Sequence, residues 1–162
     1  MNLIAAVSSE WGIGRGNDLL FRIREDHLRF KSLTIGKVVV MGHNTFKSLP
    51  KQQPLVDRAN IVLSRDESLV IPGVVMCNSL EHLRDLLTPY APEDIFIIGG
   101  EKIYTQLLEG CTIAHITKVA SAPPADVFFP NLDALPEWRL VEESEEKSHR
   151  DLKFKYCTYK KC

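Results

Sequence analysis

Asp26 has the setting most able to do chemistry. From Glu25 to Leu33 the apolar residues follow a helical period, with Ile23, Phe30 and Leu33 on one stripe, and Asp26 falls on that stripe four residues before Phe30. Loss of water raises the pKa of a carboxyl on an apolar face, and an acid held near neutrality can deliver a proton at working pH. Attraction to the helix dipole explains a carboxylate near a helix start equally well, and the residues alone leave both readings open. The adjacent His27 reads as a packed side chain more readily than as a ligand. Arg58, between Asp57 and Ala59, can clamp a substrate carboxylate with its forked guanidinium or simply pair with a neighbour.

Two glycine turns offer a second kind of chemistry. Gly42-His43-Asn44-Thr45 and Gly99-Gly100-Glu101-Lys102 each follow an apolar run and lead into a helical pattern. Helix starts carry free N–H donors, and glycine lets a backbone approach a pyrophosphate closely, so both turns could hold a dinucleotide. A plain tight turn is the alternative for either one taken alone. Ser64 and Arg65 at one strand end, with His43 at another, suit an extra phosphate on the adenosine ribose, which points to NADPH over NADH. Such residues are also common at strand ends with no role. Gly12-Ile13-Gly14-Arg15-Gly16 lacks the spacing of a dinucleotide fingerprint and opens no helix, so it reads as a mobile loop, either beside a site or on an ordinary surface.

The elements that must position these residues alternate. Leu3–Val7 reads as a strand, Ser8–Asn17 as a loop, Glu25–Leu33 as a helix, Lys37–Met41 as a strand, and the residues from His43 to about Leu49 as a short helix. Asn60–Leu63 and Val74–Cys77 are strands, the latter ending at an Asn78 cap for a helix marked by Leu80, Leu83, Leu86 and Leu87 and stopped by Pro89. Ile95–Ile98 is a strand and Glu101–Glu109 a helix stopped by Gly110. Ile113–Val119 and Leu152–Lys160 alternate as half-buried strands, with Trp138–Val141 a third in which Arg139 points outward between Trp138 and Leu140. Strand–helix units followed by strands alone predict a single α/β domain over 1–162, with helices flanking a mostly parallel central sheet that carries an antiparallel C-terminal edge.

Composition is compatible with that design. The 162 residues are 44% hydrophobic and 25% charged, and a chain of this length buries roughly 68–70% of its unfolded surface without disulfides or a structural metal. A net charge of −1 provides no footprint for nucleic acid. Cys77, Cys111, Cys157 and Cys162 form no metal or redox motif and read as cytosolic thiols. Met1–Ser8 is too short for a membrane span and lacks the basic flank of a signal peptide. The expectation is a soluble cytoplasmic protein with no metal, no nucleic-acid partner and no membrane partner.

These segments together resemble the dihydrofolate reductase family. The resemblance is carried by Leu3-Ile4-Ala5-Ala6-Val7, Gly12-Ile13-Gly14 with Asn17, Asp26 with Phe30-Lys31, and Val40-Met41-Gly42 with Thr45-Phe46 and Ser48. It continues through Arg58 with Asn60-Ile61-Val62-Leu63-Ser64, Ile97-Ile98-Gly99-Gly100 with Ile103-Tyr104, and Ile116-Thr117, in the family's order along essentially the whole chain. It implies NADPH-dependent reduction of 7,8-dihydrofolate to tetrahydrofolate by a monomer that also takes antifolate small molecules.

By the same resemblance, Asp26 holds the pterin and promotes its protonation, with Thr117 bonded to it and Phe21 nearby. Ile4, Ala6, His27, Phe30, Leu49, Leu55 and Ile98 line the folate pocket, while Arg58 grips the substrate's glutamate with Lys31 close by. The backbone of Ala6 and Ile13 holds the nicotinamide carboxamide, near Gly14, Asn17 and Ile98. Gly42, His43, Asn44, Thr45, Gly99, Gly100, Lys102, Ile103, Tyr104 and Gln106 cradle the rest of the dinucleotide, and Leu63, Ser64 and Arg65 its adenosine end. The family also implies closure of the Gly12–Asn17 loop and a cis Gly99-Gly100 peptide.

Five positions depart from the pattern. Phe21 stands where Trp is typical, Leu20 and Arg24 where proline is frequent, His27 where an apolar residue is usual, and His43 where Arg or Lys is usual. Reduction of a related heterocycle, as in riboflavin synthesis, and non-catalytic binding of NADPH and folate are the alternatives. Asp26 with Arg58 disfavours the first of these, and only Phe21 encourages the second.

Overall fold

A computed structural model describes every residue, 1–162. Sixteen elements follow along the chain: β1 (Asn2–Val7), β2 (Gly12–Arg15), β3 (Asp18–Leu19), α1 (Arg24–Thr34), β4 (Val38–Gly42), α2 (His43–Lys47), β5 (Ala59–Leu63), β6 (Val75–Cys77), α3 (Leu80–Leu87), β7 (Ile95–Gly99), α4 (Glu101–Leu107), β8 (Ile113–Val119), β9 (Val127–Phe128), β10 (Trp138–Glu143), β11 (Lys147–His149) and β12 (Leu152–Lys161).

The Val- and Ile-rich runs become neighbouring central strands because they can be buried on both faces. The main sheet runs β10-β12-β8-β1-β7-β4-β5-β6, with β11 paired to β12. From β8 to β6 every pairing is parallel, whereas β12 pairs antiparallel with β8, β10 and β11. Thus β8, grouped by sequence with the antiparallel end, joins the parallel sheet through β1, and the hand changes at β12.

Alternation divides the core between the faces. Leu3, Val38, Val40, Ile61 and Ile97 pack in one cluster with Leu83 and Leu87 of α3 and Ile103 and Tyr104 of α4. Ile4, Val39, Met41, Val62 and Phe96 pack on the other with Phe46 of α2 and the half-buried Phe30 and Leu33 of α1. Ile23 leaves the expected α1 stripe and joins Phe21, Val119 and Phe154 in a third cluster.

The structure corrects several boundaries. Gly12–Asn17 is not a free loop: β2 pairs with β3 and β9 in a small antiparallel sheet. Gly16 (φ 60°) and Asn17 (φ 61°) form the left-handed pair that a tight hairpin needs. Ser79, not Asn78, caps α3: its Oγ accepts the His82 N–H at 3.0 Å, the reach of a cap three residues ahead. The helix after Gly100 ends at Leu107 and tightens into a 3₁₀ turn, Leu108–Gly110. On β10 only Trp138 reaches the core, and Leu140, expected inward, is 40% exposed beside a bulge in the outer strand.

Ser79→Ala should lower stability by about 1 kcal/mol and Ser79→Gly by only a few tenths, read as the shift of the urea midpoint.

Candidate active site

Four parallel strands end in line, and each is followed by a segment that faces one cavity. Gly42–Thr45 follow β4, Leu63–Arg65 follow β5, Asn78–Leu80 follow β6, and Gly99–Ile103 follow β7. This is the edge at which open α/β sheets bind ligands. The cavity, ≈ 1130 Å³, continues over the α1 face of the sheet, where Ile4, Phe30, Leu49 and Leu55 form an apolar wall. The β2–β3 hairpin closes one side through Ile13, Gly14 and Asn17.

Asp26 lies where the apolar part of the cavity meets the sheet. It is the third residue of α1, and the Thr117 hydroxyl on β8 donates to its Oδ1. Burial raises its pKa, while the Thr117 bond and the nearby His27 and Arg29 pull the other way. Desolvation is the largest of these effects. Phe21 is buried and faces the same space. His27 and Lys31 lie at the exposed rim.

Arg58 pairs with no carboxylate. Its Nε donates to the Val56 carbonyl at 2.9 Å and an Nη to Thr34 Oγ1 at 3.1 Å, and the guanidinium stands 6.0 Å from the Phe30 ring centroid. Burial lowers its pKa, opposed by Asp57. The remaining N–H groups are available to an incoming anion.

At the other end of the cavity, α2 and α4 begin at Gly42 and Gly100 with no side-chain cap, so their first N–H groups have no partner within the helix or from a cap, and these residues line the cavity. The Gly99-Gly100 peptide is cis, as the resemblance implies. Gly99 has φ 120°, and a Cβ there would lie 3.2 Å from the Tyr104 ring. The positive φ and the close Tyr104 ring both favour glycine at this position. Tyr104 donates its hydroxyl to the Ile4 carbonyl at 2.6 Å and thereby ties α4 to β1.

Each residue assigned from the sequence to substrate or cofactor lines this cavity except Thr117, which is buried behind Asp26. Asn60 had no assigned role: its side chain donates to the Leu55 and Arg58 carbonyls (2.9 and 3.0 Å) and accepts the Leu55 N–H at 3.0 Å, pinning the loop that carries both lining residues. Arg29 was also missed. Its guanidinium lies 4.2 Å from the Tyr156 ring centroid, on the strand pair that holds Thr117. Asp18, Leu19, Leu20, Asp126 and Val127 complete the hairpin wall.

A part-buried acid thus shares one cavity with two glycine turns at the carboxyl ends of a parallel sheet, the arrangement of a dinucleotide-binding α/β fold. The dihydrofolate reductase family model matches residues 1–161. A dihydrofolate reductase of Neisseria meningitidis is 37% identical over 147 residues, covering 91% of this chain and 88% of that protein. The Bacillus subtilis dihydrofolate reductase is 32% identical over 156 residues, 96% of this chain and 89% of its own. The structure of a dihydrofolate reductase from Enterococcus faecalis complexed with NADP(H) and RAB-propyl superposes with a TM-score of 0.87 at 26% identity, covering 99% of this chain and 95% of that one. The chain belongs to the dihydrofolate reductase family.

The raised pKa of Asp26 has a thermodynamic sign. The folded chain keeps this proton to higher pH than the unfolded chain, whose value is near 3.8, so the contribution to stability is greatest in acid and is lost as pH rises through the folded value. Asp26→Asn should accordingly be more stable than the parent at neutral pH and lose that advantage below about pH 4, measured as urea midpoints of the free proteins.

Proposed function

We propose that this chain reduces 7,8-dihydrofolate to tetrahydrofolate with NADPH, and that Asp26 is the residue that readies the pterin. The observation that carries this reading is the Asp26 carboxyl, bonded to Thr117 and backed by an apolar wall, in one cavity with two uncapped glycine turns. The glycine turns fit a dinucleotide, since they line the cavity at uncapped helix starts and glycine lets the backbone approach a pyrophosphate closely.

Residues of the chain take the following roles in this reading. Gly42–Thr45 and Gly100–Tyr104 hold the pyrophosphate and nicotinamide half, and Ser64 with Arg65 holds the adenosine phosphate. Backbone groups of Ala6 and Ile13 meet the carboxamide. When bound, NADPH supplies the hydride. Asp26 receives the amino edge of the pterin and favours a proton on the neighbouring ring nitrogen, delivered through water. Burial raises the pKa of the acid, so it keeps a proton more readily than a solvated carboxyl does. Ile4, Phe30 and Leu49 sandwich the ring, while Arg58, already oriented by Thr34 and Val56, receives the glutamate carboxylate.

We further infer a single domain over 1–162 that acts as a monomer in the cytoplasm and takes antifolate small molecules in the folate pocket. All four cysteines are unpaired, as suits a reducing compartment.

The deciding assay follows loss of the reduced-nicotinamide absorbance with NADPH and dihydrofolate, beside NADH and a no-folate control. Folate-dependent NADPH oxidation is expected; NADPH binding without oxidation would overturn the reading. Asp26→Asn should lower turnover at neutral pH by about 10²–10⁴-fold with NADPH affinity little changed. Arg58→Ala should raise the KM for dihydrofolate by about ten- to a hundredfold.

A further inference from the structure

Two carboxylates from outside the β2–β3 hairpin hold the small sheet that carries it. Asp126 accepts the Gly16 N–H at the hairpin tip, at 2.9 Å. The other contact lies one strand away, where Glu101 Oε2 accepts the Phe128 N–H at 2.6 Å. Phe128 belongs to β9, which pairs with β2 at Gly12. Its neighbour Phe129 gives its N–H to the Trp11 carbonyl at 2.8 Å, on the hairpin side. Successive N–H groups of an extended strand point opposite ways, so the Phe128 N–H faces away from β2 and is free to meet Glu101.

Glu101 is the first residue of α4, and it lines the cavity between Gly100 and Lys102. One side chain therefore joins the helix that opens onto the dinucleotide end of the cavity to the outer strand of the sheet that bears the hairpin. Charge adds a second element. A free carboxylate beside the start of α4 would repel an incoming phosphate, and an N–H donor on β9 draws it aside.

We propose that Glu101 is a positioning residue: by holding β9 to the first turn of α4 it keeps the β2–β3 hairpin in register with the dinucleotide cradle and slows release of the dinucleotide. The inference rests on the proposed use of NADPH.

The test begins with the free protein. In Glu101→Ala the amides of Phe128, Gly12 and Gly14 should exchange with solvent about tenfold faster, while those of β7 keep their protection. NADPH should leave the binary complex about fivefold faster, followed by fluorescence in stopped flow, and hydride transfer should slow in step. Glu101→Gln keeps an oxygen acceptor and should restore both rates to within about twofold. Phe128→Pro removes the donor instead, and adding Glu101→Ala to it should bring no further loss, the signature of one shared contact. If Phe128→Pro does not fold, the Glu101→Ala and Glu101→Gln pair decides alone.

Parent-like exchange and NADPH release in Glu101→Ala would overturn the proposal. Faster exchange with unchanged release would overturn it too, since the contact would then be structural only. A parent protein that binds NADPH and reduces no dihydrofolate would refute the functional reading instead, and the exchange and release measurements would still decide this one.

Discussion

A carboxyl with one hydroxyl for company, set against an apolar wall, is costly to place, and much of this molecule is arranged around that placement. Asp26 needs a helix to carry it over the sheet and a polar side chain on the sheet to meet it. Arg24–Thr34 supplies the helix, and Thr117, buried on β8, supplies the hydroxyl. The Arg29 guanidinium over Tyr156 fixes the helix to the next strand one turn further on. Thr34 closes the same helix by accepting from Arg58 while donating to the Phe30 carbonyl. The two ends of α1 thus position the acid and the cation that bracket the apolar part of the cavity.

The other end of the cavity depends on a different constraint, which is that β4, β5, β6 and β7 finish along one edge of the sheet. Parallel order achieves this without further device, because each strand leaves the sheet in the same direction. The tight contact between Gly99 and the Tyr104 ring, with the Tyr104 hydroxyl on the Ile4 carbonyl, locks the start of α4 to β1. The two ends of the cavity meet over β1 and β7, where Ala6 and Ile98 lie between them.

Strong apolar periodicity made the central strands and main helices legible, and the glycine turns marked where those strands end. Asp26 stood out because a charge on an apolar stripe is anomalous. What escaped depended on partners distant in sequence. Asn60 looks like any polar residue at a strand start until its side chain is seen bonded to Leu55 and Arg58. Glu101 acquires its meaning only from Phe128, 27 positions away. The hairpin at Gly16-Asn17 did carry a local signal, a dipeptide suited to two left-handed residues, but β2 and β3 are too short and too poor in β-branched residues to read as strands. Leu140 misled because alternation reports the facing of a residue without reporting where the core ends.

The outer strands bear on how the molecule behaves in a crowd of its own copies. An open sheet leaves unpaired N–H and C=O groups at each border, which can recruit strands from neighbouring molecules. On one side the border is β6, only three residues long. On the other it is β10, continued by the short β11 along β12; in β10 the bulge between Leu140 and Glu142 breaks the spacing and two carboxylates, Glu142 and Glu143, follow at once. The exposed Leu140 and Val141 are therefore set in a strand that offers no long, flat, uncharged template, and the features of both borders disfavour edge-to-edge pairing.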